Sequence, residues 1–154
     1  VNNHLESYRL TSADKDDYKS IIKNYKNPEE NDSEIKYLAL VGKLAPVDSI
    51  RGMQADSIAA FVERNAGCYM IVCGDFNASP ISYPHYRLTR YLDDAYTHSG
   101  NGPGVSYHNS GMYFRIDHIL ISPNMTAYKS TVDRSISASD HYPIYTYVKL
   151  EGNR

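Results

Sequence analysis

Three short segments gather carboxylates, an amide and imidazoles: Gly74-Asp75-Phe76-Asn77, Arg115-Ile116-Asp117-His118 and Ser139-Asp140-His141-Tyr142-Pro143. Asp75 and Asn77 follow the apolar run Tyr69-Met70-Ile71-Val72-Cys73, and polar groups at the C-terminal end of a buried strand are where α/β proteins place chemistry. Spaced two apart, they project to one side if the strand continues. Side by side, a carboxylate and a carboxamide can hold a water or a metal ion and orient a phosphoryl oxygen. An Asx turn leaving the strand also fits this motif alone. Asp117 falls within an alternating apolar strand, where an unpaired carboxylate is costly. Its partner is a histidine, a metal or, structurally, Arg115. Asp140-His141 before the last strand is common loop chemistry by itself, but an Asp on one strand can pair with a His at the start of its neighbour and stabilise its charge. Asn3 and His4 end the first strand, where a lone histidine is more often structural. His85, His98 and His108 fall in helix or loop segments and read as surface residues.

The elements that must position these groups are legible in outline. Val1–Leu5 reads as a strand end. Thr11-Ser12-Ala13-Asp14 offers caps for a helix with Tyr18, Ile21, Ile22 and Tyr25 at helical spacing, ended by Asn27-Pro28. A second helix is expected from about Asp32 to Leu44, interrupted by Pro46. A third should run from about Val47 to Asn65, with Ile50, Met53, Ile58, Phe61 and Val62 on one stripe and Gly67 past its end. The run Tyr69–Cys73 reads as a strand buried on both faces. Residues 82–91 suggest a short helix, and Gly100-Asn101-Gly102-Pro103-Gly104 a loop. Residues 113–122, 126–133 and 142–150 show strand character. The expected class is α+β, a single domain over residues 1–154.

Composition bounds the function. The chain has 154 residues, 42% of them hydrophobic and 22% charged, as in a globular domain. No apolar run is long enough to span a membrane, and no signal peptide is evident, so location is left open. A net charge of −2 gives no basic stripe for nucleic-acid phosphates. This disfavours a dedicated DNA-binding module but not a metal-dependent enzyme, because a cation supplies positive charge of its own. Cys68 and Cys73 form neither a zinc pattern nor a disulfide framework and read as free buried thiols.

Taken in order, CGDFN, FRIDHIL and SDHYP, with VNNHLES at the start, resemble the endonuclease/exonuclease/phosphatase superfamily. The resemblance implies a deoxyribonuclease I-like four-layer α/β sandwich and hydrolysis of phosphoester bonds with a divalent cation, Mg²⁺ with Mn²⁺ as an alternative. It casts Asp75 as the group that orients or deprotonates the attacking water, and Asn77 as its neighbour on the phosphate. His141 becomes the imidazole at the scissile phosphate, with Asp117 as its carboxylate partner. His4 becomes a second histidine at the phosphate or leaving group, with Asn3 beside it. Asp140, together with Asp75, becomes a contributor to the metal site.

The family's early Asn and principal metal-binding Glu precede a histidine like His4, and Glu6 does not replace that Glu. The expectation is therefore a C-terminal portion of such a domain, with its N-terminal half missing. It would be inactive alone and prone to self-association through an orphaned apolar sheet face. The intact protein is expected to hydrolyse a phosphomonoester or phosphodiester. The alternatives are a metal-dependent nuclease, which the charge does not favour, and a non-catalytic domain of the same fold.

Overall fold

The computed structural model describes residues 1–24, 31–109 and 111–152. Contacts divide the chain into two compact units, one formed by Val1–Leu5 with Gly52–Arg154 and the other by Glu6–Arg51. Asn27-Pro28, the expected end of the first helix, and Tyr25 lie outside the described residues.

In the Glu6–Arg51 unit, helix α1 (Ser12–Asn24) starts where the sequence places its cap. The Thr11 hydroxyl accepts the Asp14 N–H at 3.3 Å, and the Asp14 carboxylate accepts the Thr11 N–H at 3.0 Å. This reciprocal box satisfies two donors that a helix start leaves unpaired. Lys43 also bonds Asp14 and, with Thr11, holds its pKa down at about 2.

Helix α2 (Asn31–Arg64) departs from expectation by running through Pro46 without a break. Proline in a helix interior removes one hydrogen bond and crowds the carbonyl four residues back. Here that residue is Gly42, the most pliable backbone available, so the helix absorbs the defect. The buried stripe of its second half also differs. Ala55, Ala59 and Val62 are buried, whereas Ile50, Met53 and Phe61 are exposed. Val62 and the half-buried Ile58 of the expected stripe do face the core, where Ala59 joins them.

The larger unit is built on a four-stranded sheet in the order β1-β2-β6-β3, with β1 Asn2–His4, β2 Ile71–Asp75, β3 Asp93–Asp94 and β6 Asp117–Ile121. β1 is parallel to β2, and β6 is antiparallel to both β2 and β3. Two-stranded ladders of β4 (Tyr107–Asn109) with β5 (Met112–Phe114), and of β7 (Met125–Val132) with β8 (Ile144–Leu150), complete the β content. Helices α3 (Tyr83–Thr89) and α4 (Ala95–Ser99) connect them.

On one face of the sheet, Val72 and Leu120 pack with Ala59, Val62, Leu88 and Leu92. On the other, Ile119 and Ile121 pack with Ala95, Met125, Ala127 and Val148. Each fully buried large side chain contributes roughly 1.5–3 kcal/mol. The expectation that β2 is buried on both faces fails: Tyr69 and Ile71 are exposed and Cys73 is half-buried. Cys68 is likewise exposed, not buried. Among the described residues, no helix is long and apolar enough to cross a membrane.

The expected single strand over 113–122 is two strands, β5 and β6, broken at Arg115-Ile116. That break turns the chain so that Asp117 lies directly opposite Asp75 in the β2–β6 ladder, while His4 lies opposite Asp75 in the β1–β2 ladder. Three chemistry-bearing residues thus meet at one sheet end.

Candidate active site

The β-sheet register sets the backbone positions, and side-chain bonds fix the rest. The Asp117 carboxylate lies 2.8 Å from His141 Nδ1. A carboxylate accepts, so Nδ1 carries the proton and Nε2 is left to face outward. That Nε2 lies 4.0 Å from the Asp75 carboxylate. His4 Nε2 lies 3.6 Å from the same oxygen. Asn77 adopts a left-handed conformation, φ 48°, so its N–H and its carboxamide turn back onto Asp75 at 2.8 and 3.1 Å. The carboxamide also bonds the Leu5 carbonyl at 3.1 Å. The Asx turn that competed with the functional reading is therefore present, and it is part of the site's construction.

Asp75 is the electrostatically perturbed member. Burial raises its pKa, the Asn77 N–H lowers it, the Asp117 charge raises it, and the His141 and His4 imidazoles lower it; the net shift is upward. A carboxylate so placed is a better proton acceptor than an exposed one and a place where a cation is welcome. Asp75, Asp117 and His141 offer ligand atoms all within 4.8 Å of one another.

The expected set converges with two exceptions. Asp140 accepts from Asn109 Nδ2 at 3.0 Å, which with its other partners lowers its pKa. It is not among the residues whose ligand atoms cluster with Asp75, Asp117 and His141, and its backbone carbonyl accepts the His108 N–H at 2.8 Å. Among the described residues, the Asn3 carboxamide donates to the Val1 carbonyl at 3.5 Å and is absent from the bonds that build the site.

A second acidic–imidazole group escaped the sequence reading. His85, read as a surface residue, is buried with Asp94 and His118. Asp94 caps α4 through the Tyr96 and Thr97 N–H groups, accepts from His85 Nε2 at 2.7 Å and pairs with Arg115. Burial pushes its pKa up, but the His85 bond and the Arg115 charge outweigh that and hold it far below the usual range. With Arg115 on Asp94, the group is a structural anchor. Asp94 thereby takes the Arg115 guanidinium, the structural partner the sequence offered Asp117.

His118 donates Nε2–H to the Ala78 carbonyl at 2.8 Å, and burial drives its pKa from 6.5 down to about 3. The unfolded chain takes up a proton at His118 near pH 6.5, whereas the folded chain does not until about pH 3. Stability contributed by neutral His118 is therefore full above pH 6.5 and falls as pH drops, by at most about 1.4 kcal/mol per pH unit. Urea unfolding at pH 7.5, 6.0 and 4.5 is expected to show this decline. In His118→Gln, which keeps a donor for Ala78 but does not titrate, the decline should be shallower; an equal slope would remove His118 from the account.

An acid–amide pair thus lies beside an Asp-backed imidazole at one sheet end, and comparison gives the family. The family model described as "Endonuclease/Exonuclease/phosphatase family" matches residues 20–141, and the chain belongs to that family. Its fold is α+β of the deoxyribonuclease I-like kind. Solved structures of similar fold include an endonuclease/exonuclease/phosphatase family protein from Bacteroides thetaiotaomicron, at 21% identity and TM-score 0.54, covering 66% of this chain and 44% of that one. Another is an endonuclease/exonuclease/phosphatase from Bacteroides vulgatus, at 23% and 0.55, covering 68% and 45%. A third is the mannosyl-6-phosphatase Bt3783 of Bacteroides thetaiotaomicron, at 21% and 0.51, covering 68% and 46%. The chain spans less than half the length of these structures. No curated protein matches it.

Proposed function

We propose that this chain carries the water-activating and phosphate-binding part of a divalent-metal-dependent phosphoesterase acting on a compact phosphate ester, with a phosphomonoester as the leading substrate class. The observation that carries the reading is the convergence of Asp75, Asn77, His4 and the Asp117–His141 pair from four separate segments. Family membership supports a phosphoester hydrolase, and the resemblance in fold to a sugar phosphatase supports a small substrate.

Asp75, with its raised pKa, accepts a proton from the attacking water. Asn77, whose carboxamide N–H groups are held by the Leu5 carbonyl and the Asp75 carboxylate, leaves its Oδ1 to accept a hydrogen bond from that water. His141 presents Nε2 to the phosphate, and Asp117 stabilises the imidazolium that offers a hydrogen bond to the developing charge. His4 stands across Asp75 as a second donor. The two facing carboxylates, Asp75 and Asp117, form a hard oxygen donor set that fits Mg²⁺ or Mn²⁺ and would hold it. Such an ion, when bound, neutralises phosphoryl oxygens and lowers the pKa of water. Two carboxylates hold Mg²⁺ weakly, so the chain alone is expected to bind it only in the millimolar range and to be inactive or nearly so.

The test is release of phosphate by the full-length gene product from p-nitrophenyl phosphate, mannose 6-phosphate and bis(p-nitrophenyl) phosphate, with Mg²⁺ and with chelator. The expected result is Mg²⁺-dependent hydrolysis that favours the monoesters. Turnover of duplex DNA in preference to all three would replace this reading with a nuclease. No hydrolysis of any of them with Mg²⁺ or Mn²⁺ would leave a non-catalytic domain.

A further inference from the structure

Between β5 and β6 the ladder is interrupted, and the N–H groups of Ile116 and Asp117 need another acceptor. Both point at one atom. The Ser106 hydroxyl oxygen lies 3.3 Å from the Ile116 nitrogen and 3.2 Å from the Asp117 nitrogen. The Ser106 side chain is fully buried, so no water replaces it. The same residue also reaches the histidine loop: its carbonyl accepts the Tyr142 N–H at 2.7 Å, one residue beyond His141. Its own N–H donates to the Phe114 carbonyl at 3.0 Å. The next residue, Tyr107, forms a backbone bridge with His141 and places its ring edge-on to the imidazole, centroids 5.1 Å apart.

We infer that Ser106 is the positioning residue of the Asp117–His141 pair, setting the carboxylate through its hydroxyl and the imidazole loop through its carbonyl. The inference rests on the reading of that pair as part of the phosphoesterase site. Asp117 and His141 come from segments with no direct backbone bond to one another among those described. Their 2.8 Å contact therefore depends on the element that touches both. Without the hydroxyl, two buried N–H groups lose their acceptor and the turn before Asp117 relaxes, moving the carboxylate while leaving its chemistry intact.

The readout is the tautomer of His141, which the Asp117 bond sets. Ring-nitrogen shifts of ¹⁵N-histidine-labelled chain are measured at a pH where the imidazole is neutral. Wild type is expected to show His141 as one tautomer, protonated on Nδ1. Ser106→Ala should lose that single tautomer to a mixture, and Ser106→Thr, which keeps the hydroxyl, should restore it. Ser122→Ala, which removes a different buried serine, just past the end of β6 opposite Asp117, where its hydroxyl accepts the Met70 N–H at 2.9 Å, should lower thermal stability without changing the His141 spectrum. A wild-type spectrum in Ser106→Ala would overturn the positioning role and leave the site reading standing. Loss in Ser122→Ala as well would assign the effect to general destabilisation and also overturn it. A mixed tautomer in wild type would instead remove the Asp117–His141 pair, and with it the site reading. Should Ser106→Ala not fold, the Ser106→Cys and Ser106→Thr spectra decide: the weaker sulfur acceptor should give a partial mixture, and an unchanged signal in Ser106→Cys would count against the role.

Discussion

In the full-length gene product, Asp75→Asn and His141→Ala each lower kcat/KM on a phosphomonoester by at least about 10²-fold, and by up to about 10⁴-fold where proton transfer limits the rate. Asp75→Asn is the sharper test. It retains an oxygen for the Asn77 N–H, so the turn survives while the proton acceptor is removed. The melting temperature should stay within a few degrees of wild type. The double variant should lose much less than the product of the single losses, because the two groups act on the same phosphoryl transfer and become useless without each other. Steady-state kinetics with Mg²⁺ held constant check both points. Activity within tenfold of wild type in either single variant would remove that residue from the mechanism.

Gly74→Ala should be the most damaging small substitution at the site. Gly74 has φ 137°, which side chains rarely adopt, and a Cβ there would lie 1.9 Å from the Asn3 carbonyl oxygen. Neither atom can yield without opening the β1–β2 pairing, since both are backbone and Asn3 is the ladder partner of Gly74. A cost above about 4 kcal/mol is expected, placing it in the exceptional class of point substitutions. For a chain of this size that corresponds to a fall in melting temperature of roughly 8–16 °C. The loss is also functional, because β1 carries His4 to Asp75. Calorimetry gives the stability change. A shift below 3 °C would show that β1 is not locked to β2 as described.

The site was more legible in the sequence than the elements that hold it. Asp75, Asn77, Asp117 and His141 stood out by residue type at strand ends, but each motif alone also fitted a structural role, and the resemblance of the three segments taken in order cast them as one site. The helix stripe was legible in part: Ile58 and Val62 face the core, but the buried Ala55 and Ala59 carry little signal in a pattern search, and Ile50, Met53 and Phe61 face outward. Pro46 was read as a break because the tolerance of its helix depends on Gly42, a context that periodicity does not encode. Asp140 looked equivalent to Asp75 in type and neighbourhood. Its bond from Asn109, which engages the carboxylate outside the Asp75–Asp117–His141 cluster, depends on a partner 31 residues away that no motif records. Ser106 and His85 carried no local signal at all, since their roles come from partners 10 or more residues away or from burial that no motif records.

The central claim is that a water activated at Asp75 attacks phosphorus. It is tested most directly by running the Mg²⁺-supported hydrolysis of a phosphomonoester by the full-length gene product in ¹⁸O-labelled water and reading the product by ³¹P NMR. The predicted result is inorganic phosphate carrying one ¹⁸O, with the signal suppressed by at least about 10²-fold in Asp75→Asn. Label found in the released alcohol, or labelled phosphate formed at an undiminished rate in Asp75→Asn, would contradict the account.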